Sequence, residues 1–236
     1  APFPYSGKGP DSGADFFDRF DSVSQTRYHT TSSGTRYPES TYQENRVFFY
    51  FPSHFKPQHA FQYVVYFHGH LTDVPVHLAE QKILTQIERS HKNIIFVAPQ
   101  FAKNAADSSA GKFYESGNFK KFMGEIDELV GQKLSLTKAQ KYKISQTPLT
   151  LIAYSGGYKP LAYVLDRGEV SERIHALFLV DALYGEEDKY SRWFFENPMT
   201  LFVSLYTSSS EKSQLRLIQN FKAADVEIQK DRIDRL

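Results

Sequence analysis

Leu151-Ile152-Ala153-Tyr154-Ser155-Gly156-Gly157-Tyr158 is the stretch whose reading decides the fold. A buried apolar run over residues 149–153 ends in a serine flanked by small residues, and a helical pattern follows it. A serine on a sharp turn between strand and helix needs small residues two positions before and two positions after it. Here these are Ala153 and Gly157, so the G-x-S-x-G pattern is met as A-x-S-x-G. Gly156 leaves its backbone N–H clear of any side chain, and Pro160 falls in the first helical turn, where a missing N–H costs little. The same residues would also suit a glycine-rich turn that only packs strand against helix.

Outward from this turn, apolar runs alternate with helical patterns. Residues 46–51 (RVFFYF) and 61–67 (FQYVVYF) read as strands, the first stopped by Pro52 and the second by His68-Gly69-His70. A helix is expected over 75–90, a strand over 93–98 ending at Pro99, and a long loop over 100–118. Phe119, Phe122, Met123, Ile126, Leu129 and Val130 then mark one face of a helix. The helix after Ser155 should stop at Gly168, a residue common at helix C-termini. Strands over 174–180 and 201–206 and a helix over 209–221 complete the series. Continuous apolar strands alternating with helices predict an α/β fold, with a mainly parallel central sheet and helices on both faces. Sites in such sheets form at the carboxyl ends of the strands. Residues 1–40, rich in Ser, Thr, Gly and Pro, read as an irregular lead-in with an aromatic patch at Phe16, Phe17 and Phe20. Residues 41–236 read as the α/β domain.

Two motifs together carry a family resemblance. VVYFHGH (64–70) resembles the His-Gly oxyanion strand of the α/β-hydrolase superfamily, and LIAYSGGY (151–158) is similar to its nucleophile elbow. The resemblance covers residues 61–206. It implies a serine hydrolase of the esterase or amidase type, with Ser155 as nucleophile and the backbone N–H groups of His70 and Gly156 as the oxyanion hole. It also implies an acyl substrate, small molecule or polymer, and no cofactor. His68 and His70, two residues apart at a strand end, would alternatively suit a metal, but no carboxylate cluster accompanies them.

The acid and the base are less plainly marked. Asp181 directly follows the strand over 174–180 and is the candidate triad acid; its other reading is a cap on the turn Ala182-Leu183-Tyr184-Gly185. The family order is serine, acid, histidine. The histidines are His29, His54, His59, His68, His70, His77, His91 and His175, and none follows Asp181. The chain reaches Asp234-Arg235-Leu236 about where a last strand and its histidine-bearing loop are expected. A domain of this fold without a working triad would act as a binding module instead. Tyr154 beside the serine, and Phe113 and Tyr114 on the long loop, are the candidate substrate contacts. Trp193-Phe194-Phe195 reads as core or as an apolar wall of the cleft.

Composition removes other classes. The 236 residues carry 28 Lys and Arg against 27 Asp and Glu, with no long run of like charge, so the footprint of a nucleic-acid binder is missing. No apolar stretch reaches the ~20 residues a membrane span requires. Cysteine is absent, which removes disulfides, thiolate catalysis and Cys-ligated zinc. Neither G-x-G-x-x-G nor G-x-x-x-x-G-K-[ST] occurs, so no nucleotide-binding motif is present. The N-terminus Ala1-Pro2-Phe3-Pro4 suits a mature end left by signal-peptide cleavage and favours a secreted or periplasmic protein.

Overall fold

The computed structural model describes residues 1–10 and 12–230; the terminal Asp234-Arg235-Leu236 lies outside them. Three short strands come first: β1 (Arg19–Asp21), β2 (Thr26–Thr30) and β3 (Arg36–Pro38), paired antiparallel into a small sheet. Irregular chain was the expectation here. The strands are short and polar and lack the period-2 apolar alternation that reveals a half-buried strand in sequence. Of the aromatic patch, Phe16 is buried, Phe17 half-buried and Phe20 exposed.

The main sheet has six strands. They are β4 (Val47–Tyr50), β5 (Gln62–Phe67), β6 (Ile94–Pro99), β7 (Leu149–Tyr154), β8 (Ile174–Val180) and β9 (Leu201–Leu205). Their spatial order is β4-β6-β5-β7-β8-β9; β4 runs antiparallel to β6 and all other pairings are parallel. The helices are α1 (Val74–Glu80), α2 (Ile83–Ser90), α3 (Asn118–Lys133), α4 (Lys138–Ile144), α5 (Tyr158–Arg167), α6 (Glu187–Glu196) and α7 (Glu211–Ala223). The mainly parallel α/β sheet expected from sequence is the sheet observed.

Alternation along the strands builds two cores. Tyr63, Val65, Phe67, Leu149, Leu151 and Ala153 face a large cluster that also holds residues of α3, α5, α6 and α7. Val64, Tyr66, Ile94, Phe96 and Ala98 face a smaller one under α1 and α2. Helices therefore lie on both faces, but the cover is uneven, and Leu201 and Leu205 on the edge strand β9 remain exposed.

Local details depart from the sequence reading for identifiable reasons. The helix expected over 75–90 is two helices, broken where Lys82 takes the left-handed conformation at φ 52°. Gly168 does follow α5, but with an ordinary φ of −75°. Its glycine is required because a Cβ there would lie 2.3 Å from the Val164 carbonyl oxygen. The helix α4, with its Thr137–Gln140 capping box, and the helix α6 were not anticipated as elements.

Candidate active site

β7 delivers its apolar run into the core and ends at Tyr154; Ser155–Gly157 form one 3₁₀ turn, and α5 begins at Tyr158. Ser155 has φ 48°, a left-handed conformation that costs a side-chain-bearing residue of the order of 1–2 kcal/mol. Neighbouring glycines let the surrounding backbone support it. A Cβ at Gly157 would fall 2.2 Å from the Phe67 carbonyl oxygen, so the start of α5 lies directly on the end of β5. A Cβ at Gly156 would fall 2.3 Å from Cδ2 of His70, so that space belongs to the imidazole. The His68-Gly69-His70 segment and the Ser155 turn thus meet as one packed unit. Among the described residues the Ser155 hydroxyl has no hydrogen-bond partner. Among the described residues, no loop or turn hydrogen bond is donated by the N–H of His70.

The two histidines of the His-Gly-His motif have different fates. His68 is buried; its Nδ1–H donates to the Gly69 carbonyl at 2.7 Å, and its Nε2 accepts from the Phe101 N–H at 2.8 Å. Burial pushes its pKa down to about 4. Both ring nitrogens of His68 are thus engaged by protein. His70 stands at the mouth of the site. Its Nε2 is hydrogen-bonded to Ser108 Oγ at 2.7 Å. Burial lowers its pKa, opposed by the charge of Asp107.

Ser155, Gly156 and His70 share a cleft of about 900 Å³. The small N-terminal sheet and the loop after β6 form much of its wall, bringing in Phe16, His29, Asp107, Ser108 and Ser109. His29 stacks on Phe16 at 4.0 Å, donates Nδ1–H to the Phe16 carbonyl at 2.6 Å, and places Nε2 4.0 Å from Asp107 Oδ2. Asp107 also accepts from Tyr42 OH at 2.9 Å and from Ser109 Oγ at 3.0 Å. Phe16 was read only as part of an aromatic patch and His29 only as one of eight histidines; none of these residues was read as belonging to the site. The only signal was the polar run Asp107-Ser108-Ser109 inside a loop at the expected sheet edge.

Asp181 ends β8 with φ 44° and lies among hydroxyls. It accepts from the Thr207 N–H at 3.1 Å, Thr207 Oγ1 at 3.0 Å, Ser209 Oγ at 3.2 Å, Tyr184 OH at 3.2 Å and Ser210 Oγ. Burial acts to raise its pKa, but the hydroxyl hydrogen bonds outweigh it and hold the carboxyl below the usual range. Among the described residues no histidine hydrogen-bonds to it. It ties the turn after β8 to the loop that opens α7.

The expected substrate contacts divide. Tyr114 and two further tyrosines, Tyr158 and Tyr184, line the cleft. Phe113 does not: its ring sits in the core, 5.2 Å from Phe119 and 5.4 Å from Phe122, whereas Tyr114, buried as well, borders the cleft. Tyr154 packs on His77 at 5.4 Å with the α1–α2 cluster, since alternation along β7 sends it to the face opposite Ala153. Trp193 is core, its Nε1–H donating to Ser171 Oγ at 2.8 Å.

No protein-family model and no curated protein matches the chain. Solved structures resemble it at low identity. A serine-to-alanine mutant of the feruloyl esterase module from Clostridium thermocellum, complexed with sinapinate, has a TM-score of 0.52 at 16% identity, covering 94% of this chain and 81% of that one. An S-formylglutathione hydrolase from Agrobacterium tumefaciens has a TM-score of 0.47 at 11% identity, covering 86% and 85%. At this identity the first likeness speaks for fold alone. That fold is of the α/β-hydrolase type.

Proposed function

We propose that the chain is a serine hydrolase that moves the acyl group of an ester or amide onto Ser155 and then onto water. One observation carries the reading: Ser155 stands, unbonded, on a positive-φ strand-to-helix turn at a cleft, in a fold of the α/β-hydrolase type. In the first step Ser155 Oγ attacks the carbonyl carbon, and the carbonyl electrons move to oxygen. The N–H groups of His70 and Gly156 are the donors suited to that oxyanion. Collapse of the intermediate expels the alcohol or amine and leaves an acyl-serine, which water cleaves by the same route.

A second reading has one observation in its favour. Asp181 is engaged by hydroxyls and a backbone N–H, not by an imidazole, as suits a hydrolase-like domain that only binds its ligand. A fluorophosphonate probe separates the two. The hydrolase reading expects one label per chain, located on Ser155 and lost in Ser155→Ala. A chain that stays unlabelled, yet keeps its fold, belongs to the binding reading.

A further inference from the structure

Acyl transfer to a serine needs a group to take the hydroxyl proton, and the histidines of this chain differ sharply in their freedom to do so. His68 has both nitrogens bonded. His77 hydrogen-bonds Tyr66 OH at 2.8 Å and packs on Tyr154 with the α1–α2 cluster. His175 opens β8, at the sheet end away from the cleft. His29 is held by Phe16 on the far wall. His70 alone lies on the elbow itself: the virtual Cβ of Gly156 is 2.3 Å from its Cδ2 and 2.7 Å from its Nε2. That nitrogen is held by Ser108, a surface hydroxyl that can be exchanged for another.

Resting on the reading of Ser155 as nucleophile, we propose that His70 is the general base of the site and that the Asp107–Ser108 segment positions it, in place of an imidazole aligned by Asp181. The glycine at 156 then has a second reason beyond its turn, since only there can an imidazole lie against the backbone beside the nucleophile. When substrate enters, Nε2 leaves Ser108 Oγ for Ser155 Oγ and takes its proton as the oxygen–carbon bond forms. The imidazolium gives that proton to the departing alkoxide or amine as the bond from carbonyl carbon to leaving group breaks. Water then replaces the alcohol in the second half, losing its proton to the same nitrogen. Hydrogen bonds of this kind are commonly broken in the absence of substrate and form in the reacting complex. The charged and titratable groups around the ring are Asp107 on the loop and His68 on its own strand end, with Asp15, Asp18, His29 and Lys159 and the tyrosines Tyr114, Tyr158 and Tyr184 elsewhere on the cleft wall. Burial keeps the ring neutral near pH 7, the form that accepts a proton.

The test is the rate of Ser155 labelling by a fluorophosphonate across pH, where fluoride leaves and the serine proton goes to the base. The wild-type rate should fall as pH drops through the pKa of His70. His70→Gln and His70→Ala should label about 10²-fold more slowly or worse, with that acid limb gone. Added imidazole should restore part of the His70→Ala rate. Asp107→Asn removes a charge that raises the pKa of His70, so its acid limb should move to lower pH. His175→Ala should match wild type. If His70→Gln labels at the wild-type rate with an unchanged limb, His70 is not the base, while Ser155 stands as nucleophile. If the wild type does not label at any pH, the reading of Ser155 itself fails, and the assignment of His70 falls with it.

Discussion

Single residues at the Ser155 turn make the sharpest predictions. Gly157→Val drives a branched side chain into the Phe67 carbonyl, 2.2 Å from the Cβ position. Backbone is on the receiving side and cannot swing away, so the expected cost is about 3 kcal/mol or more, read from the denaturation midpoint. Gly156→Ala meets the half-exposed ring of His70, which can move; stability should change by less than about 1 kcal/mol, while Ser155 labelling slows. His68 gives a pH dependence. Its folded pKa of about 4 lies below the ordinary 6.5, so between those values the unfolded chain binds a proton that the folded one refuses. Stability should therefore fall as pH drops from about 6.5 to about 4, by on the order of 3 kcal/mol in total. Chemical denaturation of wild type and His68→Gln across that window checks it, the variant losing the slope. The strand-to-helix turn at Ser155 and the need for glycine at 157 were legible because close packing dictates residue size. The freedom of His70 and the confinement of His68 were not, since identical residues two apart differ only in what surrounds them.

Elements were legible where burial wrote a pattern. β5, β6, β7, β8 and β9 are apolar runs closed by Pro, Gly or polar residues, and each stands within about two residues of its expected place. β1 to β3 carry no such pattern, because both faces of that small sheet are polar or partly exposed. α6 carries Tyr190, Trp193 and Phe194 at helical spacing, but its buried positions also include the polar Glu187 and Ser191, which blur the apolar period. The junction of β8 with the loop before α7 depends on Asp181. Asp181→Asn weakens the hydrogen bonds from Thr207, Ser209 and Ser210, and should cost roughly 1–2 kcal/mol at neutral pH. Because the folded carboxyl titrates below its unfolded value, this contribution is present above about pH 4 and fades as pH falls through the folded pKa. If Asp181 is a structural tie, Asp181→Asn should keep Ser155 labelling within a few-fold of wild type; a loss of about 10²-fold or more would restore it as the acid of the site.

At the scale of the whole molecule, the N-terminal segment is part of the α/β body. Phe3, Tyr5 and Phe16 belong to the same core cluster as Phe67 and Phe119, and Phe16, Asp18 and residues 29–33 help form one wall of the cleft. Phe16→Ala should cost about 3–4 kcal/mol by the usual truncation of a buried aromatic, and it should also loosen His29, which stacks on that ring. The sequence could place Ser155 at a strand end, but not show which distant residues would share its cleft, because the pairing of His29 to Ser33 with Ser155 across a pocket leaves no local pattern. The account rests on Ser155 being acylated, and trapping that intermediate tests it most directly. Rapid mixing with an activated ester such as p-nitrophenyl acetate, acid quench and mass spectrometry of the peptide containing Ser155 should reveal an acetyl group on that serine, formed in a burst of one equivalent. Turnover that proceeds with no acyl group on Ser155, turnover undiminished in Ser155→Ala, or the absence of both burst and adduct would contradict it.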